Sequence, residues 1–344
     1  MDIRAVAWNR DAERLVLLDQ TRLPGEVVYL PCDDVDTLVA AIQRLVVRGA
    51  PALGVAGAYG VALAMVQARR ESWDDGALDD AVARVRDARP TAVNLADAVD
   101  RVAALRGHGL DRVLAEAAAV ADEDERANRK LSRLGADWIV QRVGTRPLRL
   151  LTHCNTGALA TSAWGTALGI VRELNARAMV EVVYVDETRP LLQGTRLTAW
   201  ELEQEGIPYL VQADGAAAST MQRGLVDVAV VGADRIARNG DSANKIGTLG
   251  VALGARYAGI PFVVAAPSST VDPATASGSG IPVEMRAEEE VLSFGDTAVA
   301  PARARGSNPA FDVTPWALID AIVTEHGVVE PDGADVVAVL RGAG

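Results

Sequence analysis

The residues best suited to chemistry in this chain sit in the run Val231-Gly-Ala-Asp234-Arg-Ile-Ala-Arg-Asn239-Gly-Asp241-Ser-Ala-Asn244-Lys245-Ile-Gly247. Apolar Val228-Ala-Val-Val231 leads straight into it. Each of these polar groups buried without a partner would cost roughly 1–3 kcal/mol, so the run is not ordinary core. A carboxylate at a strand end, with an amide and an ammonium further on, suggests a proton donor at Asp234 and an anion clamp at Asn244 and Lys245. Both clamp side chains can donate to one phosphate or carboxylate. The plainer alternatives are an N-cap or a partner to Arg235 for Asp234, and a surface lysine beside a turn asparagine for the pair. As a carboxyl group in a closed apolar crevice, Asp234 would have a raised pKa suited to donating a proton. Asn239 and Asp241 fall in an Asn-Gly-Asp turn and shape that loop.

Cys154 follows an apolar run and precedes Asn155-Thr156-Gly157 and an alanine-rich stretch. The pattern predicts a helix over 158–174, whose positive end would favour the thiolate. The alternative is a small buried hydrophobe. His153 invites a Cys-His reading, but neighbours at a strand end point to opposite faces, so a structural hydrogen bond is expected of it. Cys32, in Leu30-Pro-Cys-Asp-Asp, reads as structural. Arg48 stands before Gly49-Ala50-Pro51, a turn opening a helix, where free backbone N–H groups make an anion site. Arg89-Pro90-Thr91 offers a second guanidinium at a helix start, or an ordinary capping loop. Gln193 can bind sugar hydroxyls, whereas Arg196 and Glu201 are expected to pair on a helix surface or at an interface. Gly54, Gly57 and Gly60 lack the dinucleotide order G-x-G-x-x-G and fit close helix packing instead. His108 and His326 show no metal spacing, and there is neither a zinc pattern nor a Ser-His-Asp signature.

Elements must hold these residues in place. Before about residue 145, short strands are expected at 4–8, 14–18 and 26–30, followed by helices at 33–45, 54–70, 76–86, 95–106 and 110–143. Beyond it, apolar strands at 148–152, 180–185, 208–211, 226–231 and 261–265 alternate with helices at 158–174, 195–205, 216–223 and 248–258. Near-continuous Val/Leu runs between helices mean strands covered on both faces. His153-Cys154-Asn155, Asp186 to Pro190, Asp214, Gly232 to Asp234 and Pro267-Ser-Ser269 each follow one of these strands. That is the edge where open α/β sheets bind ligands. The expected fold is α/β: a C-terminal doubly wound parallel sheet, Rossmann-like, over 144–344, and a smaller, mostly helical N-terminal domain with a few short strands over 1–143, ending in a long connecting helix.

The 344 residues exceed what one core usually holds, in keeping with two domains. A hydrophobic share of 49% with 23% charged residues is globular, and the net charge of −12 argues against nucleic acid or anionic membrane as partner. No run of about 18 uncharged apolar residues is evident, so no membrane span is expected. The opening Met-Asp-Ile-Arg-Ala lacks the order of a signal peptide, and two cysteines suggest reduced thiols and a cytoplasmic protein.

Taken together, Arg48-Gly-Ala-Pro-Ala, Arg89-Pro-Thr-Ala-Val-Asn94-Leu, Thr152-His-Cys-Asn-Thr-Gly157, Glu187-Thr-Arg-Pro-Leu-Leu-Gln-Gly-Thr-Arg-Leu-Thr198, the 232–248 run and Asn308-Pro-Ala-Phe-Asp-Val-Thr-Pro315 resemble the 5-methylthioribose-1-phosphate isomerases of methionine salvage. Their fold is shared with regulatory subunits of the eukaryotic initiation-factor nucleotide exchanger and with ribose-1,5-bisphosphate isomerases. The resemblance runs from about residue 40 to 330. It implies an aldose–ketose isomerase with Asp234 as proton donor and Cys154 stabilising the transition state or relaying the proton. Substrate would be bound by Arg48, Gly49, Ala50, Arg89, Gln193, Asn244 and Lys245, without metal or cofactor, in a homodimer. Ala96-Asp97, where bulky aromatics are usual, and Met285 inside Glu284-Met-Arg286 depart from the pattern and bear on the sugar's distal pocket. The alternatives are an isomerase of 5-deoxyribose 1-phosphate or ribose 1,5-bisphosphate, and a non-catalytic regulatory subunit of the same fold.

Overall fold

A computed structural model of the chain describes residues 3–89, 92–295 and 297–341. It divides into two compact units: Met1–Ala127 with Thr156–Gly165, and Asn128–Asn155 with Thr166–Gly344.

In the first unit, strands β1 (Val6–Asn9), β2 (Arg14–Leu18) and β3 (Tyr29–Cys32) form an antiparallel sheet. Helices α1 (Val35–Gln43), α2 (Ala50–Glu71), α3 (Asp75–Arg86) and α4 (Val93–Ala103) follow. The long α5 (Leu110–Val143) is divided between the units at residue 127. By length and composition α2 could cross a membrane, contrary to expectation, but 78% of its apolar window is buried inside the protein. It is the core helix of this unit. A side-chain carbon at Gly57 would meet Leu95 at 2.5 Å, and one at Gly60 would meet Leu38 and Val85 at 2.8 Å. The small residues of α2 let its neighbours close on it, as their spacing suggested.

The second unit is built on a seven-stranded sheet. Its strands are β4 (Leu148–Thr152), β5 (Val180–Asp186), β6 (Tyr209–Gln212), β7 (Val228–Val231), β10 (Phe262–Ala265), β15 (Ala321–Val323) and β16 (Val328–Val329). They lie in the order β16-β15-β10-β7-β4-β5-β6, parallel except for β16. Alternate residues feed two cores. Leu150, Val183, Val230 and Val263 join α5 and α6 (Ala167–Ala176) on one face; Leu151, Val231, Val264 and Ile322 join α8 (Ala217–Gln222) and α9 (Thr248–Ala258) on the other. Helix α7 (Ala199–Gln204) adds Leu202 to the first face. This is the doubly wound parallel sheet that the Val/Leu runs implied.

A second sheet was not foreseen. Strands β8 (Arg235–Ala237), β9 (Ser242–Lys245), β11 (Val271–Asp272) and β14 (Phe311–Thr314) lie in the order β11-β8-β9-β14, while β12 (Ser293–Phe294) and β13 (Thr297–Ala298) make a hairpin. The polar run from Asp234 to Gly247 is therefore a hairpin of two short strands. Its Asn-Gly-Asp turn behaves as read: Asn239 Nδ2 donates to Asp241 at 2.9 Å, and Asp241 also accepts from the backbone N–H groups of Gly278 and Trp316.

Candidate active site

From β4 the chain moves outward to β5 and β6, then returns to β7 on the other side of β4 and continues to β10 and β15. The reversal leaves a crevice beyond the carboxyl ends of β4 and β7, where doubly wound sheets take their ligands. Cys154 follows β4 and Asp234 follows β7.

Cys154 is only 6% exposed and has φ of +65°, a left-handed conformation rare outside glycine. Its backbone is clamped on both sides. The Cys154 N–H donates to Thr188 Oγ1 at 2.8 Å, and Thr198 Oγ1 donates to the Cys154 carbonyl at 2.6 Å. Asn155 Nδ2 donates to Thr198 and to Glu201, which also pairs with buried Arg172. Glu201 is thus buried rather than on a helix surface, and Arg196 donates to the Leu191 carbonyl. The expected helix over 158–174 is also corrected. Ala158–Ala160 is a single 3-10 turn, and α6 starts only at Ala167. Trp164 and Gly165 both take positive φ, which no α-helix can include. The segment instead makes tertiary bonds within the first unit: Gln20 Nε2 donates to Leu159 O, and the Ser162 N–H to Asp124. The dipole of the expected 158–174 helix therefore does not act on Cys154.

His153 makes the structural hydrogen bonds expected of it. Its Nδ1 lies 3.0 Å from Asp186 Oδ2, and its Nε2 lies 2.8 Å from the Ile246 carbonyl. Burial opposes the charged ring, but the hydrogen bond and charge of Asp186 outweigh it and raise the His153 pKa. His153, Asp186 and Asp214 bring ligand atoms within 4.8 Å of one another, close enough for a metal ion. Each of those atoms already has a protein partner: Gln212 donates to Asp186 Oδ1, and the N–H groups of Thr188 and Arg189 donate to Asp214. The donor set fits a hydrogen-bond network better than a metal. Cys32 is buried, and burial pushes its thiol up to about 12, as suits a structural cysteine.

Asp234 does not lie in a closed crevice. It is exposed, with its N–H donating to Ala243 O at 2.9 Å, because the chain turns there from the buried β7 into the outlying β8. Arg235, its alternative partner, pairs with Asp272 at 3.3 Å. Asn244 is 3% exposed and donates to Thr248 Oγ1 at 3.0 Å. Lys245 is half-buried, donates to Ala310 O at 3.1 Å and lies 4.7 Å over the Phe311 ring, leaving further ammonium hydrogens for an anion. Gln193 is 5% exposed, and its Oε1 is buried without a hydrogen-bond partner. A buried acceptor in that state calls for a donor such as a sugar hydroxyl.

Arg48, Gly49, Ala50 and Arg89 belong to the first unit. Gly49 has φ of +94° and caps the N-terminus of α2. A side-chain carbon there would come within 2.3 Å of Ala160 O, so only glycine lets the Arg48 turn lie on the 3-10 segment. Arg48 and Arg89 are half-buried; Pro90 and Thr91 lie outside the described residues. Thr188, Thr198 and Gln212 escaped the sequence reading as supports. The strand-end run Asp186 to Pro190 was the signal for Thr188 alone.

Fold and site together define an α/β protein with polar residues gathered at the carboxyl edge of a doubly wound sheet. The chain belongs to the initiation factor 2 subunit family, whose profile matches residues 46–331. It is 53% identical over 99% of its length to a probable bifunctional methylthioribose-1-phosphate isomerase/methylthioribulose-1-phosphate dehydratase of Nocardia farcinica, but spans only 62% of that protein. It is 50% identical to the methylthioribose-1-phosphate isomerase of Thioalkalivibrio sulfidiphilus, covering 98% of this chain and 97% of the other. Two crystal structures are similar at a TM-score of 0.87 and 40% identity. One is 5-methylthioribose 1-phosphate isomerase from Pyrococcus horikoshii, covering 96% of this chain and 93% of that one. The other is translation initiation factor eIF-2B, subunit delta, from A. fulgidus, covering 99% and 100%.

Proposed function

We propose that this chain is an aldose–ketose isomerase that converts 5-methylthioribose 1-phosphate into 5-methylthioribulose 1-phosphate in methionine salvage. The observation that carries the reading is the placement of Cys154 and Asp234 beyond the two strands that flank the switch point, in a chain half identical to isomerases over nearly its full length. The second unit supplies the catalytic groups; the functional division is into a helical 1–143 and a catalytic 144–344, although the compact units divide at residue 127 and place Thr156–Gly165 with the first.

Phosphorylation at C1 locks the sugar ring, so opening it needs an acid. Asp234 donates a proton to the ring oxygen as the C1–O bond breaks. The hydrogen on C2 is then delivered to C1 while the C2 hydroxyl loses its proton and becomes the ketone, with Cys154 stabilising this step or relaying the proton. For Asp234 to be protonated at neutral pH, bound substrate must shield it from water. Arg48, Arg89 and Lys245 offset the roughly 1.5 to 2 negative charges of the phosphate, Gly49 and Ala50 present backbone N–H groups, and Gln193 and Asn244 bind hydroxyl or phosphate oxygens. No cofactor enters this scheme. Cys32 and Cys154 are buried and form no disulfide, which suits a reducing cytoplasm; the partner implied by the family resemblance is a second copy of the chain.

The test is turnover by the purified protein of 5-methylthio-, 5-deoxy- and 5-phospho-ribose 1-phosphates. Preference for the first supports the proposal; preference for another reassigns the substrate; no turnover of any favours a non-catalytic subunit, as the likeness to eIF-2B subunit delta would suggest.

A further inference from the structure

One buried ring joins two parts of the candidate site. His153 adjoins Cys154 at the end of β4, and its Nε2 reaches the carbonyl of Ile246, next to Asn244 and Lys245. A carbonyl can only accept, so Nε2 carries the hydrogen and donates it. Nδ1 shares its proton with Asp186, whose other oxygen accepts from Gln212. The ring also lies close against the turn. A side-chain carbon at Gly247 would meet the imidazole Cε1 at 2.7 Å, and Gly247 holds φ of +107° there. On the far side, the N–H groups of Gly247 and Leu249 donate to Asp312 at 2.8 and 3.1 Å, so this turn is held from both directions.

We propose that His153 is a positioning residue: by donating to Ile246 it holds the Ile246-Gly247 turn, and with it the end of β9 that carries Asn244 and Lys245, in place for the bound anion beside the strand end that carries Cys154. The role assigned to the anion and the thiol rests on the isomerase reading; the tie itself does not. Asparagine and glutamine variants separate the two ring contacts. Asparagine places a donor near the Nδ1 position and keeps Asp186, while glutamine places one near Nε2 and keeps Ile246.

His153→Asn should raise KM for 5-methylthioribose 1-phosphate about tenfold, the worth of one lost buried hydrogen bond, with kcat within about twofold, and His153→Gln should restore KM. Amide hydrogen exchange at Ile246, Gly247 and Leu249 reads the tie without catalysis: faster in the asparagine variant, near native in the glutamine variant. Equal exchange in the two variants, or a loss of kcat at unchanged KM, would overturn the proposal. An inactive native protein whose variants still differ in exchange would sink the isomerase reading and leave the tie standing.

Discussion

Cys154 is held in a backbone conformation that costs a non-glycine residue roughly 1–2 kcal/mol, and Thr188 and Thr198 hold it there. Strain kept by neighbours in this way is concentrated at functional sites. Replacing Cys154 by Ser or Asp234 by Asn should lower kcat by roughly a hundred- to ten-thousand-fold, the range for lost acid–base groups, while substrate binding, measured by calorimetry, persists. Near-native turnover in either variant would remove that residue from the mechanism. Both positions were legible in the sequence because a thiol and a carboxylate each follow an apolar strand run. Their surroundings were not. The alanines after Cys154 read as a helix because local propensity is all a sequence window offers, whereas the bonds from Gln20 and Asp124 come from distant parts of the chain. The exposure of Asp234 was hidden for the same reason: β8 leaves the main sheet to pair with β9 and β11.

Among the elements, α5 and α9 match their expected spans, since long periodic runs and glycine boundaries are read locally. Strands β8 and β9 were missed because three or four residues around an Asn-Gly-Asp turn carry no apolar alternation of their own. The start of β4 is secured by an ion cluster that the sequence did not reveal. Asp227, just before β7, accepts from the guanidinium groups of Arg146 and Arg149 and from the Arg149 N–H. Burial alone would raise its pKa, but these donors hold it well below the usual 3.8. Asp227→Asn should destabilise the fold by about 3 kcal/mol, the lower end for broken buried pairs because both arginines still touch water. A carboxyl depressed in the folded state stabilises above its unfolded value and loses that contribution as pH falls. The gap between variant and native protein in urea unfolding should therefore be full at neutral pH and shrink progressively below about 3.8. A gap unchanged at pH 2 would contradict the assignment.

At the scale of the whole molecule, the doubly wound class followed from the order of strands and polar motifs, whereas a homodimer was implied only by the family resemblance. Along α9, Leu253 and Tyr257 are 53% and 79% exposed, an i, i+4 apolar pair on one helix face. A homodimer that covers this face predicts twice the chain mass in light scattering, and Tyr257→Glu should shift the protein to monomer. An unchanged mass would place the interface elsewhere.

The ten residues Thr156–Gly165 belong to the first unit although the second precedes and follows them in the chain. Inheritance of the two units is thereby entangled. A recombination between distant relatives near residue 143 would seat the Arg48 turn of one ancestor on the Ala158–Ala160 backbone of the other, leaving Gly49 against a surface it did not evolve with. Lineages of this fold should exchange such halves rarely, and substitutions around Gly49 and Ala160 should have accumulated in step.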